Sequence, residues 1–138
     1  MTRPIALVVE DDPSLQAAMV KHLEQAGFAA LTALDFSAAV HHLTQSRIQL
    51  ACIDLGLPSR SGYELCEHIR SRCELVSLPI LVTSVRNYPE DMAYAEEAGA
   101  NAFLKKPFSM NTLLRYVSAL LDEAPASRPD VRTLRLAY

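Results

Sequence analysis

Four short apolar runs in this chain each stop at a different polar chemistry, and this restricts the possible folds more than any other feature. Ile5 to Val9 stops at Glu10, Asp11 and Asp12, and Leu50 to Ile53 stops at Asp54. Ile80 to Val82 stops at Thr83, and Ala102 to Leu104 stops at Lys105-Lys106-Pro107. Continuous apolar runs of this length leave no polar face, so they suit strands covered on both sides. In an open parallel sheet, functional groups collect at the carboxyl ends of the strands. Acid, acid, hydroxyl and amine would then meet at one edge.

The segments between the runs read as helices. Asp12 as N-cap and Pro13 at the first position open helix one, and Gly27 stops it. Leu15, Ala18, Met19 and Leu23 give that helix one apolar stripe. Ala29–Ala33 reads as a second strand, and Phe36, Val40 and Leu43 mark a second helix. The third strand reads as Leu50–Asp54, and Leu65 and Ile69 define a third helix ending near Arg72. Pro79 introduces the fourth strand, Ile80–Thr83, and a helix over Pro89–Ala98 is closed by Gly99. After a fifth strand, Ala102–Leu104, Ser109 caps a helix with the stripe Leu113, Leu114, Val117, Leu120 and Leu121. Five strand-helix repeats predict an α/β fold with a parallel sheet covered on both faces.

One domain over residues 1–122 accounts for this pattern, and 123–138 reads as a linker or C-terminal tail. From Val131 the tail starts to alternate, which suits a short strand, a partner-binding arm or the stub of a further domain. A net charge of -3 provides no basic footprint, which argues against direct nucleic-acid binding. No apolar stretch reaches the length of a membrane span, and no signal-peptide core follows the first residues. Cys52, Cys66 and Cys73 lack metal or redox spacing and read as reduced structural thiols, consistent with a cytoplasmic protein. His41 and His42 are adjacent and cannot share one helix face, so they form no metal pattern. The acids of the fourth helix, Glu90, Asp91, Glu96 and Glu97, read as a solvated face.

The strand-end residues support one chemistry in particular. Glu10 and Asp11 beside Asp54 would repel one another unless a cation intervened. Hard oxygen ligands with open water positions suit Mg²⁺. A carboxylate can act as nucleophile toward a phosphoryl group, and the metal would neutralise the incoming oxygens. Lys106 offers a point charge to another phosphate oxygen, and Thr83 a hydroxyl donor. Asp12 reads as only a helix cap.

Across about residues 3 to 122 the sequence resembles the receiver domains of two-component response regulators. The matching pieces are Leu7-Val-Val-Glu-Asp-Asp-Pro13, Ile53-Asp-Leu-Gly-Leu-Pro58 with Ser61-Gly62, Leu81-Val-Thr-Ser84, and Ala98-Gly-Ala-Asn-Ala-Phe-Leu-Lys-Lys-Pro-Phe108. The resemblance implies a flavodoxin-like five-stranded sheet of order 2-1-3-4-5. It implies Asp54 as phosphoacceptor, with Mg²⁺ held by Asp11, Asp54 and the Gly56 carbonyl, and by Glu10 through water. Thr83 would be the switch hydroxyl, Phe103 the aromatic switch, and Lys106, ahead of a cis Pro107, the phosphate-pairing lysine. Lys105 would point outward. Phosphoryl transfer would come from a sensor histidine kinase, a phosphotransfer protein or a small acyl phosphate. The face of helix 4, strand 5 and helix 5 would then choose a partner, which could be a second copy in a homodimer. Phosphorylation would make room for Phe103 to turn inward.

Where the family often carries an acid, this chain has Asn101, which weakens a dimer held by acidic salt bridges there. The main rival is a receiver-like interaction module that is never phosphorylated, against which the intact acid, threonine and lysine set argues. A hydrolase working through an aspartyl phosphate would want a carboxylate at position 56, which is glycine. The expected protein is therefore not an enzyme beyond promoting its own phosphorylation and dephosphorylation. No recognisable output segment follows residue 122, so the chain reads as a stand-alone regulator or as a receiver whose output domain lay beyond Tyr138.

Overall fold

The apolar runs become the strands of one parallel sheet in the computed structural model, which describes residues 2–122. The strands are β1 (Ile5–Val9), β2 (Ala29–Ala33), β3 (Ile48–Asp54), β4 (Ile80–Ser84) and β5 (Ala102–Lys105). They alternate with α1 (Pro13–Gln25), α2 (Phe36–Gln45), α3 (Gly62–Ser71), α4 (Pro89–Ala98) and α5 (Met110–Asp122). Every pairing is parallel and the order is β2-β1-β3-β4-β5, the expected doubly wound arrangement. The alternating stretch from Val131 lies outside the described residues.

Strand periodicity divides the core into two layers. Leu7, Val9, Ile53, Val82 and Phe103 face one way and pack with Phe36, Leu43, Leu65, Ile69, Met92 and Ala95 from α2, α3 and α4. Ala6, Val8, Cys52, Leu81 and Leu104 face the other way and meet Met19 and Leu23 of α1 and Leu113, Tyr116 and Leu120 of α5. Alternate residues of one strand thus serve opposite layers, which is why the runs had to be apolar throughout. Side chains close the helix starts: Asp12 accepts from Ser14 N, Asp35 from Ala38 N, Ser61 from Glu64 N and Ser109 from Thr112 N. Gly27 and Gly99 take φ of 105° and 109°, the left-handed backbone that ends α1 and α4 without a Cβ penalty.

Several sequence expectations need correction. β3 begins at Ile48, two residues before Leu50, because exposed Gln49 interrupts the apolar run without interrupting the strand. Leu121 is exposed, and Tyr116 takes its place in the buried stripe of α5. Asp91 does not belong to a solvated acidic face. It is buried, and its Oδ2 accepts from Tyr88 N at 3.1 Å, capping the first turn of α4.

Asn101 has a structural duty. Its Oδ1 accepts from Ile80 N and from Arg70 Nη2, both at 2.9 Å, and Arg70 Nε also donates to Gly99 O at 2.9 Å. One amide oxygen therefore ties the start of β4 to α3 and to the segment entering β5. Asn101→Ala leaves a half-buried strand N–H without its acceptor and takes one of several acceptors from the Arg70 guanidinium, and should cost about 1–3 kcal/mol. Asn101→Asp keeps the acceptor and should lose much less. Urea unfolding of both variants checks this, and equal losses would reject the acceptor role.

Candidate functional site

Parallel register brings the strand ends together. Val9 pairs with Ile53, Asp54 with Thr83, and Ser84 with Lys105. Glu10, Asp54, Thr83 and Lys106 therefore arrive at the same edge of the sheet, from four different strands or the turns that follow them. Glu10 N donates to Ala33 O at 3.1 Å, which prolongs β1 by one residue toward β2. Lys106 N donates to Ser84 O at 2.8 Å, and the Lys106–Pro107 bond is cis, as the resemblance implied.

A single ammonium serves two buried carboxylates. Lys106 Nζ lies 2.8 Å from Glu10 Oε1 and 3.3 Å from Asp54 Oδ2. The other Asp54 oxygen, Oδ1, accepts from Gly56 N at 3.0 Å, and Glu10 Oε2 accepts from Asp12 N at 3.1 Å. Gly62 holds α3 against the end of β3. A Cβ at Gly62 would stand 2.4 Å from Asp54 O, and Gly62 N donates to Leu55 O. Only glycine permits that approach, and it fixes the backbone that presents Asp54.

Burial pushes the Glu10 carboxyl above its ordinary value, and the contact with Lys106 only partly offsets this. Burial on its own would lower Lys106, but Glu10 and the Asp54 charge reverse the balance and leave its pKa raised. The signs matter. Raised Lys106 contributes stability below its unfolded pKa, and that stability is lost as pH climbs through the higher folded value. Raised Glu10 has the same sign in a lower window, favouring the fold below the unfolded carboxyl pKa and losing that advantage as pH climbs through its raised folded value. The site therefore holds more negative charge than one lysine can balance.

The donor set suits a hard cation. One oxygen each from Glu10, Asp11 and Asp54 lies within 4.8 Å of the others, and Asp11 is exposed at the mouth. Glu10 Oε1 is enclosed without an aligned hydrogen-bond donor, although Lys106 stands near it. Three clustered carboxylates sharing one ammonium fit a small divalent ion with oxygen ligands. Asp12 stays outside this group, its Oδ1 occupied by Ser14 N as the α1 cap.

The remaining expected residues are placed as follows. Thr83 is buried beside Asp54 in the β3–β4 register, and Lys105 is exposed. Gly56 is exposed, and a Cβ there would meet Asp54 Oδ1 at an unstrained 3.6 Å. Phe103 is fully buried. Its ring already lies in the core, so an inward turn has no exposed starting point here. Cys52 and Cys66 are buried thiols that burial pushes up to about 12, and Cys73 is exposed, all three free. Among the described residues, no group that could hold a metal includes a histidine.

Sequence reasoning missed part of the site. A cavity of about 220 Å³ beside Asp54 is also walled by Tyr63, Ser84, Arg86 and Asp91. The signal was local: Pro89 at a helix start with an acid two residues later marks a buried cap, and Arg86 lies one turn ahead of it.

The chain matches the family described as "Response regulator receiver domain" over residues 6–118. It is 34% identical over 121 residues to the transcriptional regulatory protein GltR of Pseudomonas aeruginosa, covering 86% of this chain and 49% of GltR. It is 35% identical over 130 residues to the response regulator RppA of Synechocystis, covering 93% of this chain and 55% of RppA. The chain thus spans about half the length of these relatives. The chemotaxis response regulator CheY4 of Vibrio cholerae has a similar structure, with a TM-score of 0.81 and 27% identity over 85% of this chain and 98% of that one. Among the described residues no helix is long and apolar enough to cross a membrane. With a family match over most of its length, a sheet order of β2-β1-β3-β4-β5 and an acidic group at the strand ends, the chain belongs to the response regulator receiver domains of two-component systems.

Proposed function

We propose that Asp54 accepts a phosphoryl group and that the resulting acyl phosphate changes the surface formed by α4, β5 and α5. The observation that carries this reading is the buried Asp54 carboxylate facing Lys106 at 3.3 Å beside Glu10 and Asp11. The donor is the phosphohistidine of a sensor histidine kinase or phosphotransfer protein, or a small acyl phosphate. An Asp54 oxygen attacks phosphorus. With phosphohistidine the phosphorus–nitrogen bond breaks, and the leaving imidazole keeps the electron pair and takes up a proton. With an acyl phosphate the phosphorus–oxygen bond breaks and a carboxylate leaves. Glu10, Asp11, Asp54 and the Gly56 carbonyl would hold Mg²⁺, which supplies charge neutralisation at the transferring oxygens. Lys106, already poised between Glu10 and Asp54, pairs with a further phosphoryl oxygen. Thr83 donates its hydroxyl to another.

On this reading the protein acts in the cytoplasm and promotes only its own phosphorylation and dephosphorylation. Its output passes to a partner protein, an output domain or a second copy of the chain. The rival, an interaction module that is never phosphorylated, leaves the burial of Glu10, Asp54 and Thr83 beside a half-buried Lys106 without a purpose. Buried, mutually repelling acids are a cost that a scaffold has no reason to keep.

Intact-mass spectrometry after incubation with Mg²⁺ and a small acyl phosphate tests the central assignment. Wild-type protein should gain one phosphoryl adduct and Asp54→Asn none. Equal adducts on both proteins would place the chemistry elsewhere.

The metal assignment separates neighbouring acids. Asp11→Asn should weaken Mg²⁺ binding by roughly tenfold or more, because it removes a carboxylate from the cluster. Asp12→Asn should leave affinity nearly unchanged, since that side chain caps α1. Equal losses in a Mg²⁺ titration would reject the distinction.

Thr83 is the proposed link to the output face, because it pairs with Asp54 on one side and with Leu104, next to Phe103, on the other. Thr83→Ala should still bind beryllofluoride, a phosphoryl mimic, but shift the amide resonances of Met92–Ala102 and Phe103 much less than wild-type protein does. Equal shifts would show that another route carries the signal.

A further inference from the structure

The cavity beside Asp54 has two cations in its wall, and they are engaged differently. Lys106 stands between Glu10 and Asp54. Arg86 reaches the other wall, where its Nε lies 3.3 Å from Asp91 Oδ1. The pair is asymmetric: the Arg86 side chain is 68% exposed and the Asp91 side chain only 10%. Asp91 has a second partner, because its Oδ2 accepts from Tyr88 N in the capping turn of α4. The Tyr63 hydroxyl donates to Asp91 O at 3.2 Å and fixes the same turn from α3. Arg86 N donates to Ser84 Oγ at 3.0 Å, which tethers its backbone to the strand bearing Thr83. Arg86 thus lines the same cavity as the phosphoacceptor while its guanidinium pairs with α4.

Two facts make this arrangement reversible. An ion pair whose cation is largely exposed contributes little to stability, so its loss costs little. Asp91 keeps its Tyr88 N–H partner when Arg86 leaves, so the buried carboxylate is not stranded. A phosphoryl group on Asp54 would bring a charge of about -1.5 to -2 into the cavity, with oxygens suited to a guanidinium fork. Lys106 is already shared between two carboxylates, which leaves room for a second cation.

We infer that Arg86 exchanges Asp91 for the phosphoryl group on Asp54, acting as a second phosphoryl-positioning residue for which Asp91 competes in the resting protein. This rests on Asp54 being the phosphoacceptor. The exchange removes one of the two bonds made by the Asp91 carboxylate at the α4 capping turn, so occupancy of Asp54 reaches α4 by a route separate from Thr83.

The competition predicts opposite signs for two substitutions. Beryllofluoride in excess Mg²⁺ is the probe, with affinity read by titration of backbone amide resonances. Arg86→Gln should weaken binding about threefold or more, because a charge-assisted contact is lost. Asp91→Asn keeps the shape and an acceptor for Tyr88 N–H but releases Arg86, and should strengthen binding about twofold or more by the same reasoning. A merely structural role for the pair would make both substitutions weaken binding. That result, or no change from either one, overturns the inference. Should Asp91→Asn fail to fold, the Arg86 Nε–H resonance of wild-type protein decides: it moves on adding beryllofluoride or the inference fails. No beryllofluoride binding by wild-type protein would remove the role of Asp54 and the inference with it, which is distinct from a wild-type protein that binds beside unchanged variants.

Discussion

Lys106 carries the electrostatic balance on which this site depends. Two carboxylates, Glu10 and Asp54, are buried at the end of a sheet whose interior is mostly apolar, and one ammonium at 2.8 and 3.3 Å serves both. Removing that ammonium would leave two uncompensated buried charges, a loss that exceeds any gain from the pair itself. Yet one lysine is not enough for three nearby acids. Burial still pushes Glu10 above its ordinary value, and one of its oxygens has no aligned donor. A site under-compensated in this way favours a divalent cation, and once the cation is present it favours phosphoryl oxygens as further ligands.

The fold exists to hold that balance in place. Lys106 and Asp54 lie 52 positions apart in the sequence, and Glu10 lies 44 before Asp54, so only sheet register brings them within hydrogen-bonding distance. The close approach of Gly62 to Asp54 O and the Ser84 O contact of Lys106 N lock the two loops that carry the charges. The residues beyond the sheet edge are less constrained. Arg86 is exposed, and Tyr88 is exposed beside it. The proposed switch would use that contrast between a buried charge cluster and an exposed rim.

The sheet was legible because β1, β3, β4 and β5 are apolar runs with polar stops, a pattern that survives without any tertiary knowledge. Asp12, Ser109, Gly27 and Gly99 marked helix ends through local chemistry alone, and the structure places each of them there. Errors arose where long-range packing overrides local pattern. Gln49 looked like a strand boundary because it is polar, but a strand can expose one residue and continue. Leu121 looked like core because it is leucine, but the rotation of α5 turns Tyr116 inward instead. Asp91 looked like a surface acid because its neighbours are acids, and only the fold shows that it caps α4 from a buried position. Phe103 was expected as an aromatic switch that turns inward, and only the fold shows that its ring is already buried in the layer covered by α4.

The account stands or falls on a covalent bond at one residue. Borohydride reduction of the protein after Mg²⁺-dependent treatment with an acyl phosphate converts an aspartyl phosphate to homoserine, which peptide mass spectrometry can locate. The account predicts homoserine at position 54 and at no other acid, neither Glu10 nor Asp11 among them. An unreduced Asp54 in protein that demonstrably carries phosphate, or reduction at a different acid, would contradict it.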